Sequence, residues 1–246
     1  MGMTTVLVGG GPDTTRSSTC LQPFVDACLE RGVARVGLLL AGAADNARMF
    51  APDYTNLLPA LAGRIDVVPL ADGVPDVARF EALVVGGGPT PAYHSALRPV
   101  YPEIRAMAAV GCPYLGFSAG AMIAGDRALV GGHRVDGVDV CPVGWSEGLD
   151  EVSLDEGIGL VPGVVEVHAA QAGTVGRAVA IVLQRGAEVV VALDEDTAVR
   201  PRGQQWDVLG TGRAWRVSAD DRGRAVVDPV RAGGVIPVPA PDHTRY

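Results

Sequence analysis

The segment with the clearest potential for chemistry is the pattern Gly116-x-Ser118-x-Gly120. It follows the apolar run Tyr114–Phe117 and leads into small residues that favour a helix. A tight turn from strand to helix requires glycines because a side chain there would clash, and it leaves the serine hydroxyl exposed where the helix begins. The pattern predicts Ser118 as a nucleophile and the amide of Ala119 as an oxyanion donor at the positive end of the helix dipole. A plain tight turn is the competing interpretation.

A second glycine-rich segment, Gly86-Gly87-Gly88-Pro89, follows the apolar run Ala82–Val85. Ligands bind at the carboxyl ends of strands in open α/β sheets, and glycines let the backbone approach them closely. The segment lacks the spacing of a dinucleotide-binding or phosphate-binding loop. We therefore predict that the Gly88 amide is a second oxyanion donor. The similar segment 9–12 is expected to line the same cleft.

A serine nucleophile needs a base, and the candidates in the sequence are His94, His133, His168 and His243. His168 ends a short apolar stretch that begins at Val164, and it precedes a helical stretch. From that position a histidine can reach a neighbouring strand-to-helix turn such as the one predicted at Ser118. An ordinary half-buried histidine fits that spacing equally well. His94, after the glycine segment, either touches substrate or is solvated.

The acidic run Asp194-Glu195-Asp196 follows the apolar run Val189–Leu193 and raises the question of a metal site. It has no histidine beside it, and Arg200 follows closely, which does not suit a cation. We predict that the run shapes a turn and caps the next element, and that no metal or cofactor is bound.

The elements that must position these residues alternate between apolar runs and stretches with helical spacing. This alternation predicts an α/β fold, a three-layer sandwich with a mostly parallel central sheet and helices on both faces. The predicted strands are Thr4–Val8, Arg35–Leu40, Ile65–Pro69, Ala82–Val85, Tyr114–Phe117 and Val189–Leu193. The predicted helices run from Ser17 or Ser18 to Glu30, within Ala47–Leu61, and over Val100–Val110 and Thr174–Gln184. A C-terminal region of antiparallel hairpins is predicted from Val199–Arg202, Trp206–Leu209 and Ala214–Ser218.

Length and charge narrow the class of protein further. The 246 residues are 48% hydrophobic, enough for a sizeable core, and we expect one domain over residues 1–226 with a proline-rich tail over 227–246. The 28 acids outweigh 20 bases, and the resulting charge of −8 argues against nucleic acid and anionic membrane as partners. The four cysteines form no metal or disulfide pattern, and the N-terminus lacks an export signal, so we expect a cytoplasmic protein with reduced thiols.

Several motifs occur in the order typical of the serine-peptidase family of dipeptidase E and cyanophycinase, which this chain resembles over most of residues 5 to 200. They are Gly86-Gly87-Gly88-x-Thr90, Gly116-Phe117-Ser118-Ala119-Gly120-Ala121, Gly159-Leu160-Val161-Pro162-Gly163-Val164-Val165 with His168 and Gly176-Arg177, and Leu193-Asp194-Glu195-Asp196-Thr197-Ala198. The resemblance implies a class I glutamine-amidotransferase-like fold with serine in place of the elbow cysteine. It also implies hydrolysis of a small peptide or isopeptide beside an aspartyl residue, no cofactor, and a homodimer. Ser118 would be the nucleophile, His168 the base, and Gly88 with Ala119 the oxyanion hole.

The substrate-binding residues implied by the same resemblance are Thr90, Glu166, Gln171 and Arg177. Three departures from the family bear on them. Pro89 replaces a polar residue, and Ala172 and Thr174 stand where cyanophycinase-like members carry arginines, which disfavours an acidic polymer. Glu166 stands where the family has Asp and could orient the imidazole or bind an amine. Arg177 could bind a substrate carboxylate or form a structural salt bridge.

The same resemblance implies that the third member of the triad lies some 15 to 18 residues after the serine, and Asp136 fits that offset best. The carboxylates of Asp126, Asp139, Glu147 and Glu156 remain open, whereas His133 at a neighbouring offset cannot serve as an acid. Two other functions remain open as well: an esterase or amidase for another substrate class, and a non-catalytic relative that acts as a binding partner.

Overall fold

The computed structural model describes residues 3–184 and 186–238 of the chain. The strands, numbered in chain order, are β1 Thr5–Val8, β2 Val36–Leu40, β3 Ile65–Pro69, β4 Ala82–Val85, β5 Tyr114–Phe117, β6 Arg127–Gly131, β7 Arg134–Val135, β8 Val138–Asp139, β9 Ser153–Glu156, β10 Val164–Glu166, β11 Val189–Leu193, β12 Thr197–Arg202, β13 Gln205–Gly210, β14 Arg213–Ala219, β15 Ala225–Arg231 and β16 Val235–Pro237. The helices are α1 Gln22–Glu30, α2 Ala44–Thr55, α3 Thr90–Leu97, α4 Tyr101–Ala109, α5 Ala119–Met122, α6 Ala169–Ala172 and α7 Val175–Leu183.

The central sheet has the strand order β16-β13-β12-β1-β5-β4-β2-β3. The strands from β1 to β3 in that order are parallel, and β12, β13 and β16 extend the sheet in antiparallel fashion from β1. Strands β1, β2, β4 and β5 consist of buried residues throughout, as expected where helices cover both faces.

Alternate residues of the central strands enter two separate cores. Val6 and Val8 face the core that contains α1 and α2, whereas Leu7 faces the core that contains α3, α4 and α5. Because successive side chains of a strand point to opposite faces, this pattern places helices on both sides of the sheet. The predicted three-layer α/β fold is confirmed.

A second sheet has the order β10-β11-β14-β15. The sequence placed β11 in the central sheet, and this was wrong: β11 pairs in parallel with β10 and antiparallel with β14. After β11 the chain turns at residues 194–196, and it returns to the central sheet with β12. Hairpin β12–β13 and the antiparallel pair β14–β15 confirm the predicted C-terminal region of antiparallel hairpins.

The predicted tail over 227–246 needs correction for the part that the structure describes. Residues up to 231 belong to β15, and Val235–Pro237 pairs with β13, so the chain continues as sheet past the expected boundary at 226. Prolines suggested a tail, but Pro229 and Pro237 lie on strands at the edges of their sheets, where a missing N–H is tolerated. Residues 239–246 lie outside the described residues.

Candidate active site

The elbow at Ser118 is fixed by the two glycines that flank it. A Cβ on Gly116 would lie 2.5 Å from the carbonyl oxygen of Gly120, and a Cβ on Gly120 would strike the carbonyl of Val85. Ser118 itself has a φ of 45°, a strained conformation for a residue with a side chain, costing roughly 1–3 kcal/mol. The serine therefore sits on the sharp bend between β5 and α5 that its sequence pattern predicts.

His168 lies within hydrogen-bond distance of this serine. The distance from Ser118 Oγ to His168 Nε2 is 3.1 Å. His168 follows β10 and is the N-cap residue of α6, with its backbone in a left-handed conformation at a φ of 52°. Its backbone N–H donates to the carbonyl of Gly9 at 2.8 Å, so the glycine segment after β1 holds the histidine beside the elbow.

Glu195 is the carboxylate that meets the other imidazole nitrogen, with 2.9 Å between His168 Nδ1 and Glu195 Oε1. Asp136, the acid expected from its offset, lies exposed in the turn between β7 and β8 and accepts a hydrogen bond from Gln184 at 3.2 Å. The expectation for Asp136 is therefore corrected. Offset arguments failed because the chain after Ser118 forms two short antiparallel pairs that lead the segment around Asp136 away from His168.

The turn that carries Glu195 is anchored by the aspartates on either side of it. Asp194 accepts hydrogen bonds from the backbone of Ala170 and Arg213 and from Trp215 Nε1, and Asp196 accepts them from the backbone of Arg16 and Ser17. Gln171, expected to bind substrate, instead accepts a hydrogen bond from the Glu195 backbone at 3.0 Å. These contacts fix the turn that carries Glu195, and the acidic run serves as a structured turn as predicted.

The sequence contains part of the signal for Glu195, namely two apolar runs, but it does not reveal that these runs pair. His168 and Glu195 each follow a short apolar run, and the two runs become the parallel neighbours β10 and β11. Parallel strands bring their carboxyl ends to one edge of a sheet, so the loops after them meet. With β11 predicted in the central sheet, these two loops are not expected to meet.

The glycine segment after β4 passes close to Ser118. A Cβ on Gly87 would lie 3.2 Å from the Ser118 Cβ, and the Gly87 amide and carbonyl are held by Tyr54 and Tyr93 at 2.8 and 3.0 Å. The next residue, Gly88, has a φ of 138°, which favours glycine. Ala119 is the first residue of α5, where backbone N–H groups lack partners within the helix. Gly88 and Ala119 both lie beside Ser118, as oxyanion donors would. Their role as donors stays a prediction.

Glu166 and Arg177, both expected to bind substrate, form a buried ion pair with each other. Both are buried, and the carboxylate receives Arg177 Nε at 2.7 Å and Nη2 at 2.9 Å. Arg177 Nη1 donates to the carbonyls of Gly132 and Trp145, each at 2.8 Å. A charge buried this deeply needs a partner, and the pair supplies it. The structural salt bridge left open for Arg177 is the arrangement found, and Glu166 does not orient the imidazole.

The loop after Cys141 forms another wall of the site. The ring of Trp145 lies 4.7 Å from the His168 ring, between centroids, with the planes inclined by 36°. Thr90, expected to bind substrate, is fully buried and donates to Glu147 Oε1 at 3.1 Å. Burial raises the pKa of the Glu147 carboxyl, although the hydrogen bond from Thr90 partly opposes this.

The remaining polar candidates have partners away from this cleft. Asp126 accepts from the Gly163 amide, Asp139 from Arg134, Glu156 pairs with Arg105, and His94 is buried against the carbonyl of Glu156. His133 is buried near Asp139 and Asp150. These positions give none of them a contact with Ser118 or His168.

The triad opens into a cleft of about 1030 Å³, which Ser118, His168, Trp145 and Glu147 help to line. Within residues 3–184 and 186–238, no group of three or more His, Cys, Asp or Glu side chains is placed to hold a metal ion. No helix in the same ranges is both long enough and apolar enough to cross a bilayer. A hydroxyl, an imidazole and a carboxylate in series can transfer a proton and generate a nucleophilic oxygen beside this cleft.

Fold and site together define an α/β protein with a serine elbow, a histidine and a glutamate connected by hydrogen bonds. No protein-family model and no curated protein matches the sequence. Solved structures with a similar fold include two that are described as peptidases. A peptidase from an acI-B1 Actinobacterium has a TM-score of 0.71 and 16% identity, covering 96% of this chain and 97% of its own. A candidate Peptidase E protein from Listeria monocytogenes EGD-e has a TM-score of 0.52 and 13% identity, covering 86% and 100%. At these identities the likeness establishes a shared fold, and it confirms the Peptidase E-like fold expected from the motifs.

Proposed function

We propose that this chain is a serine hydrolase that cleaves a small peptide or isopeptide bond through an acyl-enzyme on Ser118. The observation that carries the proposal is the continuous hydrogen-bond series from Ser118 Oγ through His168 to Glu195, with distances of 3.1 and 2.9 Å. The names of the two similar structures, a peptidase and a candidate Peptidase E protein, support peptide rather than another acyl substrate.

The reaction begins when Ser118 Oγ attacks the scissile carbonyl carbon and its proton passes to His168 Nε2. Glu195 stabilises the imidazolium that forms, and the amides of Gly88 and Ala119 bind the oxyanion of the tetrahedral intermediate. The carbon–nitrogen bond then breaks, and His168 returns the proton to the leaving amine. A water molecule attacks the resulting ester with His168 again as base, which releases the acid and restores the serine.

Charges in the cleft give little support to the aspartyl preference that the family resemblance implies. The guanidinium of Arg177, the residue that could have bound a substrate carboxylate, is engaged by Glu166. A homodimer and a cytoplasmic location remain predictions.

A fluorophosphonate probe tests the nucleophile without a known substrate. We expect stoichiometric labelling of Ser118, identified by peptide mass spectrometry, and none in Ser118→Ala. Ser153→Ala is the matched control, because Ser153 lies in β9 and does not contribute to the cleft. A native protein that the probe leaves unmodified, or labels equally well after Ser118→Ala, would contradict the mechanism.

Substrate class is tested with dipeptides and p-nitrophenyl esters supplied at equal concentration. The proposal expects Ser118-dependent release of amino acids from at least one dipeptide. Turnover of esters that exceeds every peptide by orders of magnitude would point to an esterase on the same elbow.

A further inference from the structure

The cleft at Ser118 carries net negative charge. Among the described residues that line it, Asp13, Asp53 and Glu147 contribute carboxylates, and Arg177 contributes the permanent positive charge. That guanidinium already donates to both oxygens of Glu166 and to two backbone carbonyls. A substrate carboxylate would therefore meet carboxylates of the same charge and a cation that is already neutralised. A positively charged group would meet three carboxylates that form no ion pair with this guanidinium, the half-buried Glu147 and the exposed Asp13 and Asp53.

Glu147 is the carboxylate of this set whose position is best defined. Its side chain is half-buried and held by the Thr90 hydroxyl at 3.1 Å. Its loop is tied down on either side: Arg177 donates to the Trp145 carbonyl, and the Gly148 amide donates to Ser146 Oγ at 3.2 Å. A hydroxyl is a neutral donor, so it compensates a desolvated carboxylate only in part, and the carboxyl pKa is raised by burial. A cation in the cleft would complete the compensation.

Asp13 and Asp53 extend the negative charge to the glycine segment after β4. Burial, together with these two charges, raises the pKa of Tyr54 to about 12, and Tyr54 accepts the hydrogen bond of the Gly87 amide. Asp13 follows β1 and Asp53 belongs to α2, whereas Glu147 comes from the loop after Cys141. The sign of the charge is thus the same in three separate segments around the reacting serine.

We propose that Glu147 binds a positively charged group of the substrate, an ammonium or a guanidinium, and that the cleft selects cationic rather than aspartyl substrates. This inference rests on the proposed function, because it names the substrate class of the same site. The ammonium could be the free amino terminus of a peptide or the end of a basic side chain, and both present the same chemistry to the carboxylate.

Protection of Ser118 from a fluorophosphonate probe tests the inference without turnover. The competitors are Nα-acetyl-lysinamide, with a side-chain cation only, norleucinamide, with an α-ammonium only, and Nα-acetyl-norleucinamide, which is uncharged. We expect at least one cationic competitor to protect at concentrations about tenfold lower than the uncharged one, as for a hydrogen bond to a charged group. The cationic competitor that protects Ser118 identifies which ammonium, that of the side chain or that of the amino terminus, is bound.

Glu147→Gln keeps the acceptor for Thr90 and removes the charge, so the tenfold advantage of the cation should disappear. Protection is normalised to each variant's own labelling rate without competitor. Glu103→Gln, an exposed acid of α4 outside the cleft, is the matched control and should retain the advantage.

Equal protection by charged and uncharged competitors, or a cation advantage that survives in Glu147→Gln, would overturn this inference while Ser118 labelling leaves the proposed function intact. A native protein whose Ser118 does not react would overturn the proposed function, and the inference with it. The two failures are therefore distinguishable.

Discussion

Replacing Glu195 by Gln removes the charge that faces His168 and keeps a side chain of the same shape. The Gln oxygen can still accept a hydrogen bond from Nδ1 at the 2.9 Å separation that Glu195 shows. What the variant loses is the stabilisation of the imidazolium that forms when Ser118 gives up its proton. The perturbation therefore acts on the reaction rather than on the resting fold.

The size of the expected rate loss in Glu195→Gln follows from how far His168 and Glu195 are shielded from solvent. The side chains of His168 and Glu195 are 12% and 24% exposed, so the interaction is only partly screened. Two unit charges about 4 Å apart at an effective dielectric constant of about 20 interact by about 4 kcal/mol. At about 1.4 kcal/mol per factor of ten in rate, the variant should react roughly a thousandfold more slowly.

The assay is the second-order rate constant for phosphonylation of Ser118, followed by mass spectrometry of the intact protein. Asp136→Asn is the matched control, because Asp136 is exposed and bonded to Gln184, and its rate should stay within about twofold of the native value. A Glu195→Gln rate within a few fold of native, or a large loss in Asp136→Asn, would refute the assignment of Glu195.

Three further outcomes follow from other contacts. Arg177→Met leaves Glu166 charged and buried, so unfolding free energy should fall by about 3–5 kcal/mol. The melting temperature should then fall by roughly 6–20 °C, with recovery in the double variant Arg177→Met/Glu166→Leu; an unchanged melting temperature would contradict the buried pair. Trp145→Ala should slow Ser118 phosphonylation by up to about tenfold and Trp145→Phe by less, because an aromatic ring still packs on His168; equal rates in both variants would argue against the ring contact. Burial raises the pKa of Cys20 and of Cys28 to about 12, so iodoacetamide at pH 8 should spare both in the native protein and modify the more accessible Cys112 first; rapid alkylation of Cys20 would contradict this burial.

The parts of the fold and site that depend on local sequence were predictable. The glycine spacing around Ser118 specifies a bend because backbone atoms leave no room for a Cβ at Gly116 or Gly120. The strands Ile65–Pro69, Ala82–Val85 and Tyr114–Phe117 are found with the predicted bounds. Ala82–Val85 and Tyr114–Phe117 are buried on both faces, and such strands are continuous apolar runs bounded by turn residues. Helix α3 was not predicted, because proline and glycine at its start suggested a loop.

The parts that depend on which segments become neighbours were not predictable. Whether Glu195 or Asp136 reaches His168 depends on the pairing of β11 with β10, and apolar periodicity alone does not reveal a strand's partner. The same limit applies to Glu166 and Arg177. A lone Glu on a strand and a lone Arg on a helix look like surface or substrate-binding charges until the packing of α7 buries both.

The cleft lies where two sheets meet. Single sequence motifs therefore predicted only some of the residues that form the site. The central sheet supplies Ser118 and the glycine segments through the carboxyl ends of β1, β4 and β5, whereas the second sheet supplies His168 and Glu195 through β10 and β11. Gly9 joins the two sets: its carbonyl accepts the His168 amide at 2.8 Å, and a Cβ there would lie 2.6 Å from the Leu193 Cβ. The close approach at Gly9 thus holds the segments of His168 and Glu195 beside the central sheet that carries Ser118, through backbone contacts alone.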